Sequence, residues 1–141
     1  MPVKSRITSE QVGAAVQHFW LAFTSKSSQQ LADFYAHESS VFGSESTRTE
    51  PGRLAAARRH REYFHTQSVL KAETSQLEVI VLDDHTAVAT YVFKFHATKV
   101  ASLLGNRTTE EIEGGRATQV FRLEPSGALR IVHEHLSLPV R

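Results

Sequence analysis

Apolar residues recur along the chain first at helical spacing, then with the period of two that belongs to strands. Val12, Val16, Phe19, Trp20 and Phe23 lie three or four residues apart. They follow a Thr8–Gln11 pair with the spacing of a capping box, and predict a helix from about Ser9 to Ser25. Ser27 or Ser28 can cap a short second helix, in which Leu31, Phe34 and Tyr35 form one stripe. Ser39–Gly43 reads as a short strand leaving it, and Ser44–Glu50 as a polar loop. Pro51 suits the first turn of a third helix, predicted from about Pro51 to His65, with Leu54, Ala57, Arg61 and Phe64 on one face.

From Ser68 the period changes. Leu77, Val79 and Val81 alternate against Glu78, Ile80 and Leu82, and Asp83-Asp84-His85 forms a turn. A long strand follows, with Ala87, Ala89, Tyr91, Phe93 and Phe95 on one face and Val88, Thr90, Val92, Lys94 and His96 on the other. Leu103–Asn106 is a loop. The next strand runs from about Thr108 to Leu123, with a break at Gly114-Gly115 that suggests a bulge or bend. Glu124-Pro125-Ser126-Gly127 is turn chemistry, so Arg116–Leu123 and Ala128–Ser137 read as a hairpin. By the period of two, Ala117, Gln119, Phe121 and Leu123 share one face of its first strand. Leu129, Ile131, His133, His135 and Ser137 share one face of its second.

Helices segregated from four long, tightly connected strands predict an α+β domain, residues 1–141, with an antiparallel sheet bent around the third helix into a cone. Its 141 residues suffice for a core. A formal net charge of +1 gives no pull toward nucleic acid or membrane, and the chain has no cysteine for disulfides or thiolate chemistry. The first residues lack a signal-peptide apolar region, and no run is long enough to span a membrane, so a cytoplasmic protein is expected. Asn106-Arg107-Thr108 has the form of a glycosylation acceptor, read here as chance. No phosphate-binding loop, dinucleotide fingerprint or GxSxG is present, and no cofactor is expected.

Four segments carry a resemblance: Leu31-Ala32-Asp33-Phe34-Tyr35-Ala36 with Ser39–Phe42, His60-Arg61-Glu62-Tyr63-Phe64, Thr118-Gln119-Val120-Phe121, and Arg130–Ser137 with its HxHxS ending. Through them nearly the whole chain resembles the NTF2-like superfamily. Within it the chain is similar to SnoaL-like proteins and to the association domain of calcium/calmodulin-dependent protein kinase II. The resemblance implies a cone-shaped α+β barrel, three N-terminal helices on a strongly curved sheet, usually dimeric. It does not fix a function, because members include isomerases, cyclases, dehydratases and transport factors. Set against ketosteroid isomerase, the catalytic base falls at Gly43, the oxyanion tyrosine at Phe19 and the oxyanion aspartate at Gln119, so that proton chemistry is not expected. Set against the kinase association domain, the helix arginine of its pocket matches Arg61, and its two strand arginines correspond to Phe93 and Gln119.

The candidate chemistry is a small-molecule pocket. Arg61, Gln119 and His135 are expected to converge in the cone, closed at its narrow end by Trp20, Tyr91 and Phe93. Arg61 would meet an anionic group of the ligand, or else snorkel to water. Gln119 would orient a carbonyl or carboxylate, or else satisfy a buried backbone group. His135, with His133 behind it, is the candidate general base for isomerase-, cyclase- or dehydratase-type chemistry. The two histidines also have the spacing of metal ligands, but no third ligand is set by spacing and no metal is expected. Arg58-Arg59-His60-Arg61 reads as a solvated basic face. Val88, Val92, Val120 and Val132, on the sheet face away from the pocket, predict a homodimer. The competing function is a non-catalytic association module.

Overall fold

The structure is a computed structural model that describes residues 6–42, 50–100 and 107–139. Helix α1 (Ser9–Thr24) starts from the expected capping box, in which Thr8 accepts from the Gln11 N–H and the Gln11 side chain accepts from the Thr8 N–H. Helix α2 (Ser28–Ala32) is capped by Ser27. Strand β1 (Tyr35–Phe42) is longer than expected and begins almost directly after α2. A two-residue strand β2 (Glu50–Pro51) leads into α3 (Gly52–Thr66), followed by β3 (Gln67–Val81), β4 (Thr86–Val100), β5 (Arg107–Leu123) and β6 (Leu129–Ser137). Pro51 therefore precedes α3 rather than opening it. Gly43, most of the expected Ser44–Glu50 loop, the Leu103–Asn106 loop and the asparagine of the glycosylation triplet lie outside the described residues.

The six strands form one sheet in the order β2-β1-β6-β5-β4-β3. The four long strands pair antiparallel, as their short connections require. The sheet departs from the expected pattern at β1, which lies parallel to β6. These two strands are far apart in sequence, so no hairpin constrains their sense. All three helices pack on one face. Val12, Val16, Phe19, Trp20 and Leu31 form a single core with Ala87, Ala89, Tyr91, Phe93, Phe121 and Ile131.

Two irregularities shape that face. Opposite Lys94, β5 carries extra residues at Glu113–Gly114, where the expected glycine break falls, and Gly114 has φ +68°. A Cβ on Gly115 would lie 2.3 Å from the Phe93 ring, so only glycine lets that aromatic ring lie flat on β5. The second irregularity is on β6. Ile131 pairs with Phe121 and His133 with Val120, which leaves Val132 as the extra residue of a bulge. A one-residue slip sends every later side chain to the other face. Beyond Val132, Glu134 sits opposite Gln119 and is fully buried, while His133 and His135 sit opposite Val120 and Thr118 on the outer face. The expectation that both histidines share the core-facing side of Leu129 is thus overturned.

Candidate functional site

Glu134 is the centre of the buried polar chemistry. One carboxylate oxygen accepts from the Tyr35 hydroxyl at 2.7 Å and the other from Gln119 Nε2 at 2.7 Å. Gln119 Oε1 accepts from the Tyr91 hydroxyl at 2.8 Å, and the Tyr91 oxygen accepts from the Trp20 indole at 3.0 Å. Five residues from α1, β1, β4, β5 and β6 thus join in one chain of hydrogen bonds. Trp20, Tyr91 and Gln119 meet in the interior, where Trp20 also stacks on Phe93 with ring centroids 4.9 Å apart.

The chain has one self-consistent direction. An indole N–H can only donate, so the Tyr91 oxygen must accept from it and its proton must go to Gln119. The Gln119 carbonyl is then used, and its NH2 points at Glu134. A protonated Glu134 would have to donate into Gln119 or Tyr35, stranding a hydroxyl proton in the core. The arrangement therefore selects the carboxylate. Burial pushes the Glu134 carboxyl above its ordinary range, while donation from Gln119, the charge of Arg59 and donation from Tyr35 pull it down. Burial, then the neighbouring Glu134, raises both tyrosine hydroxyls, so they stay protonated.

The counter-charge comes from α3. Arg59 Nη2 lies 3.7 Å from Glu134 Oε2, and the Arg59 side chain keeps 23% of its surface exposed. The core-facing stripe of α3 runs through Ala56, Arg59, His60, Tyr63 and Phe64, whereas Leu54 and Arg61 are exposed. The phase expected for α3 was thus shifted. The arginine that reaches inward is Arg59, and Arg61 does not join Gln119. Two members of the basic run, Arg59 and His60, turn away from solvent because Phe64 and Ala56 are held in the core on the same side.

Among the described residues, the buried polar groups without a hydrogen-bond partner are both terminal nitrogens of Arg59, His60 Nδ1 and Ser39 Oγ. His60 packs against Tyr35, Phe19 and Phe64, with Tyr35 5.9 Å away between ring centroids. Its ring is near the Ala56 carbonyl, but Nδ1 has no partner at hydrogen-bond geometry. Burial, then the charge of Arg59, lowers the His60 pKa to about 3, so the ring is neutral at physiological pH. Ser39 lies two residues before Val41, which pairs with Glu134.

The remaining candidates sit elsewhere. His133 Nδ1 lies 2.8 Å from Ser40 Oγ, and His133 and His135 contact the Phe42 ring, all on the outer face. His135 is exposed. Two surface cavities, of about 400 Å³ beside His18, Gln30, Asp33 and Phe34 and about 620 Å³ beside Glu111, Glu113 and Pro139, share no lining residue with the Glu134 chain. Among the described residues no group of three His, Cys, Asp or Glu side chains is placed to hold a metal ion. No described helix is long and apolar enough to cross a membrane.

Residues 12–141 match the model of the SnoaL-like domain, and the chain belongs to that family. No curated protein matches it. Among solved structures it is similar to a ketosteroid isomerase-like protein from Erwinia carotovora atroseptica, at 15% identity and TM-score 0.75, covering 92% of this chain and 94% of that one. It is also similar to a protein from Xanthomonas campestris described as a calcium/calmodulin-dependent protein kinase II association domain, at 19% identity and TM-score 0.74, covering 99% and 93%. The association domain of that kinase from C. elegans matches at 16% identity and TM-score 0.66, covering 91% and 93%. These likenesses establish an NTF2-like fold, an α+β arrangement of helices on a curved sheet.

The depressed His60 pKa has a signed consequence for stability. A folded-state value of about 3 against an ordinary 6.5 means that the unfolded chain takes up this proton first. Stability from neutral His60 is therefore complete above pH 6.5 and is lost as pH falls toward 3, by up to about 4 kcal/mol. Glu134, shifted upward, contributes the opposite slope, losing stability as pH rises. Urea melts between pH 7 and pH 4 should show a decline that His60→Phe largely removes. An unchanged decline in that variant would place the acid sensitivity elsewhere.

Proposed function

We propose that this SnoaL-like domain binds a small molecule at the inner face of α3, where the Arg59 guanidinium meets an oxygen acceptor of the ligand. One observation carries the reading: both terminal nitrogens of Arg59 are buried without a hydrogen-bond acceptor although the group stands beside Glu134. Buried donors left unmade cost about 1–3 kcal/mol each, so a site that keeps them is poised for an acceptor from outside the chain. Tyr35, Phe19 and Phe64 pack around the ring of the neighbouring residue His60. Acid–base chemistry at this site would fall to Glu134 and His60, since His133 and His135 lie on the other face of the sheet.

A screen of small polar metabolites by thermal shift tests this reading. Ligands that stabilise the wild type should lose about 1.5–3 kcal/mol of affinity in Arg59→Met, the scale of a charge-assisted hydrogen bond, and keep it in Arg61→Met. Ligands indifferent to Arg59→Met would refute it.

A second reading has its own support. The sheet face opposite the helices carries half-buried Val88, Val92, Val120, Val132 and Phe42, with no described helix over it. We propose that a second copy of the chain covers this face, giving a homodimer. Light scattering at micromolar concentration should return twice the 15.7 kDa chain mass, and Val120→Lys should return one. A monomer mass for the wild type would contradict it.

A further inference from the structure

Two histidines lie within the apolar sheet face that a second copy would cover. On β6, His133 and His135 face outward, between Val120 and Thr118 of β5 on one side and Ser40 and Phe42 of β1 on the other. His133 is half-buried with its Nδ1 2.8 Å from Ser40 Oγ, and both rings contact Phe42. Val88 and Thr90 of β4 pair with Val120 and Thr118 and continue the patch.

The charged groups around this patch are largely matched with one another. Arg122 pairs with Glu38 and Glu124, Glu73 with Lys71 and Lys94, and His96 with Glu111. An apolar centre with self-paired charges at its margin presents no large excess of one sign to an oppositely charged partner. A twofold contact between copies of the chain requires such a self-complementary face.

The two histidines set a condition on that contact. Histidine is the side chain whose charge ordinarily changes between about pH 5 and 8. A charge gained by either ring is solvated in the free chain and loses its water under a second copy, and unpaired burial of charge is costly. Among the described residues, the groups facing the rings offer no free counter-charge. From β5 come Val120 and Thr118, flanked by the cations Arg122 and Arg116. From β1 come Ser40 and Phe42, with Glu38 beyond them held by Arg122 and near His37. β6 itself adds Arg130 and Ser137. Glu134, next in the chain but on the inner face, attracts a charge on His133, and does so in monomer and dimer alike. His96 on β4 differs, because Glu111 stands 3.7 Å away to meet its charge.

Resting on the reading that a second copy covers this face, we infer that the dimer is acid-labile. Protonation of His133 and His135 in the free chain opposes association, so the domain assembles at neutral pH and separates as the pH falls through the histidine range.

Sedimentation velocity of the whole chain over a concentration series, at pH 7.5 and pH 6.0, reads the dissociation constant, while circular dichroism monitors the fold. The constant should rise at least tenfold at pH 6.0. The double variant His133→Asn with His135→Gln, uncharged at either pH, should keep one value. By linkage, the two wild-type rings should take up their protons at lower pH in a concentrated sample than in a dilute one, as read by NMR of the ring protons. That measurement needs no variant and decides the matter if the double variant fails to fold or to associate at pH 7.5. A wild-type dimer with one dissociation constant at both pH values, a double variant that weakens in acid as the wild type does, or ring titrations indifferent to concentration would overturn the inference and leave the dimer standing. A wild type that is monomeric at pH 7.5 overturns the dimer and the inference with it.

Discussion

A carboxylate fully removed from water has to be satisfied on every side, and that demand on Glu134 organises this interior. Removing one partner of a buried charge pair typically costs about 3–5 kcal/mol, because the other charge is left uncompensated. The chain meets the demand from several directions. Tyr35 donates to one oxygen, Gln119 to the other, and Arg59 supplies the counter-charge. Tyr91 and Trp20 have no contact with the carboxylate in this chain of bonds, yet they fix its polarity by fixing which way Gln119 points. The same bonds tie α1 to β4, β4 to β5, β5 to β6 and β6 to β1, so the electrostatic solution is also a set of tertiary cross-links.

The backbone irregularities make this possible. The bulge at Val132 turns Glu134 inward, and the parallel placement of β1 beside β6 brings Tyr35 opposite Ile131 and Val41 opposite Glu134. On β5, Gly115 leaves room for the Phe93 ring, which stacks on Trp20 and Phe95. Regular strands would have produced a conventional apolar interior with a histidine pair in it. The departures from regularity replace that pair with a compensated carboxylate, and the histidines with it move to the outer face beside Ser40 and Phe42.

Much of the fold was legible because its signals are local. The Thr8–Gln11 box, the Ser27 cap, the Glu124–Gly127 turn and the alternation along Ala87–Phe95 each act over a few residues, and each predicts what is seen. The site was legible only in part. Gln119, Tyr91, Trp20 and Phe93 do meet, because they lie on strands and a helix whose phase holds. Glu134 was missed because the Val132 bulge carries no glycine or proline to announce it, and a strict period of two puts His133 and His135 inside instead. Arg59 was missed because Leu54 and Arg61 suggested a stripe, although Leu54 is 86% exposed. The competing stripe of Ala56, His60 and Phe64, at four-residue intervals, was present in the sequence and marks the face that packs.

The charged state of Glu134 is the point on which the account turns. Carbon-13 NMR of the side-chain carboxyl, assigned through Glu134→Gln, reads that state directly. An ionised carboxylate at pH 7 that protonates only on acidification is expected. A Glu134 carboxyl already protonated at pH 7 would contradict it.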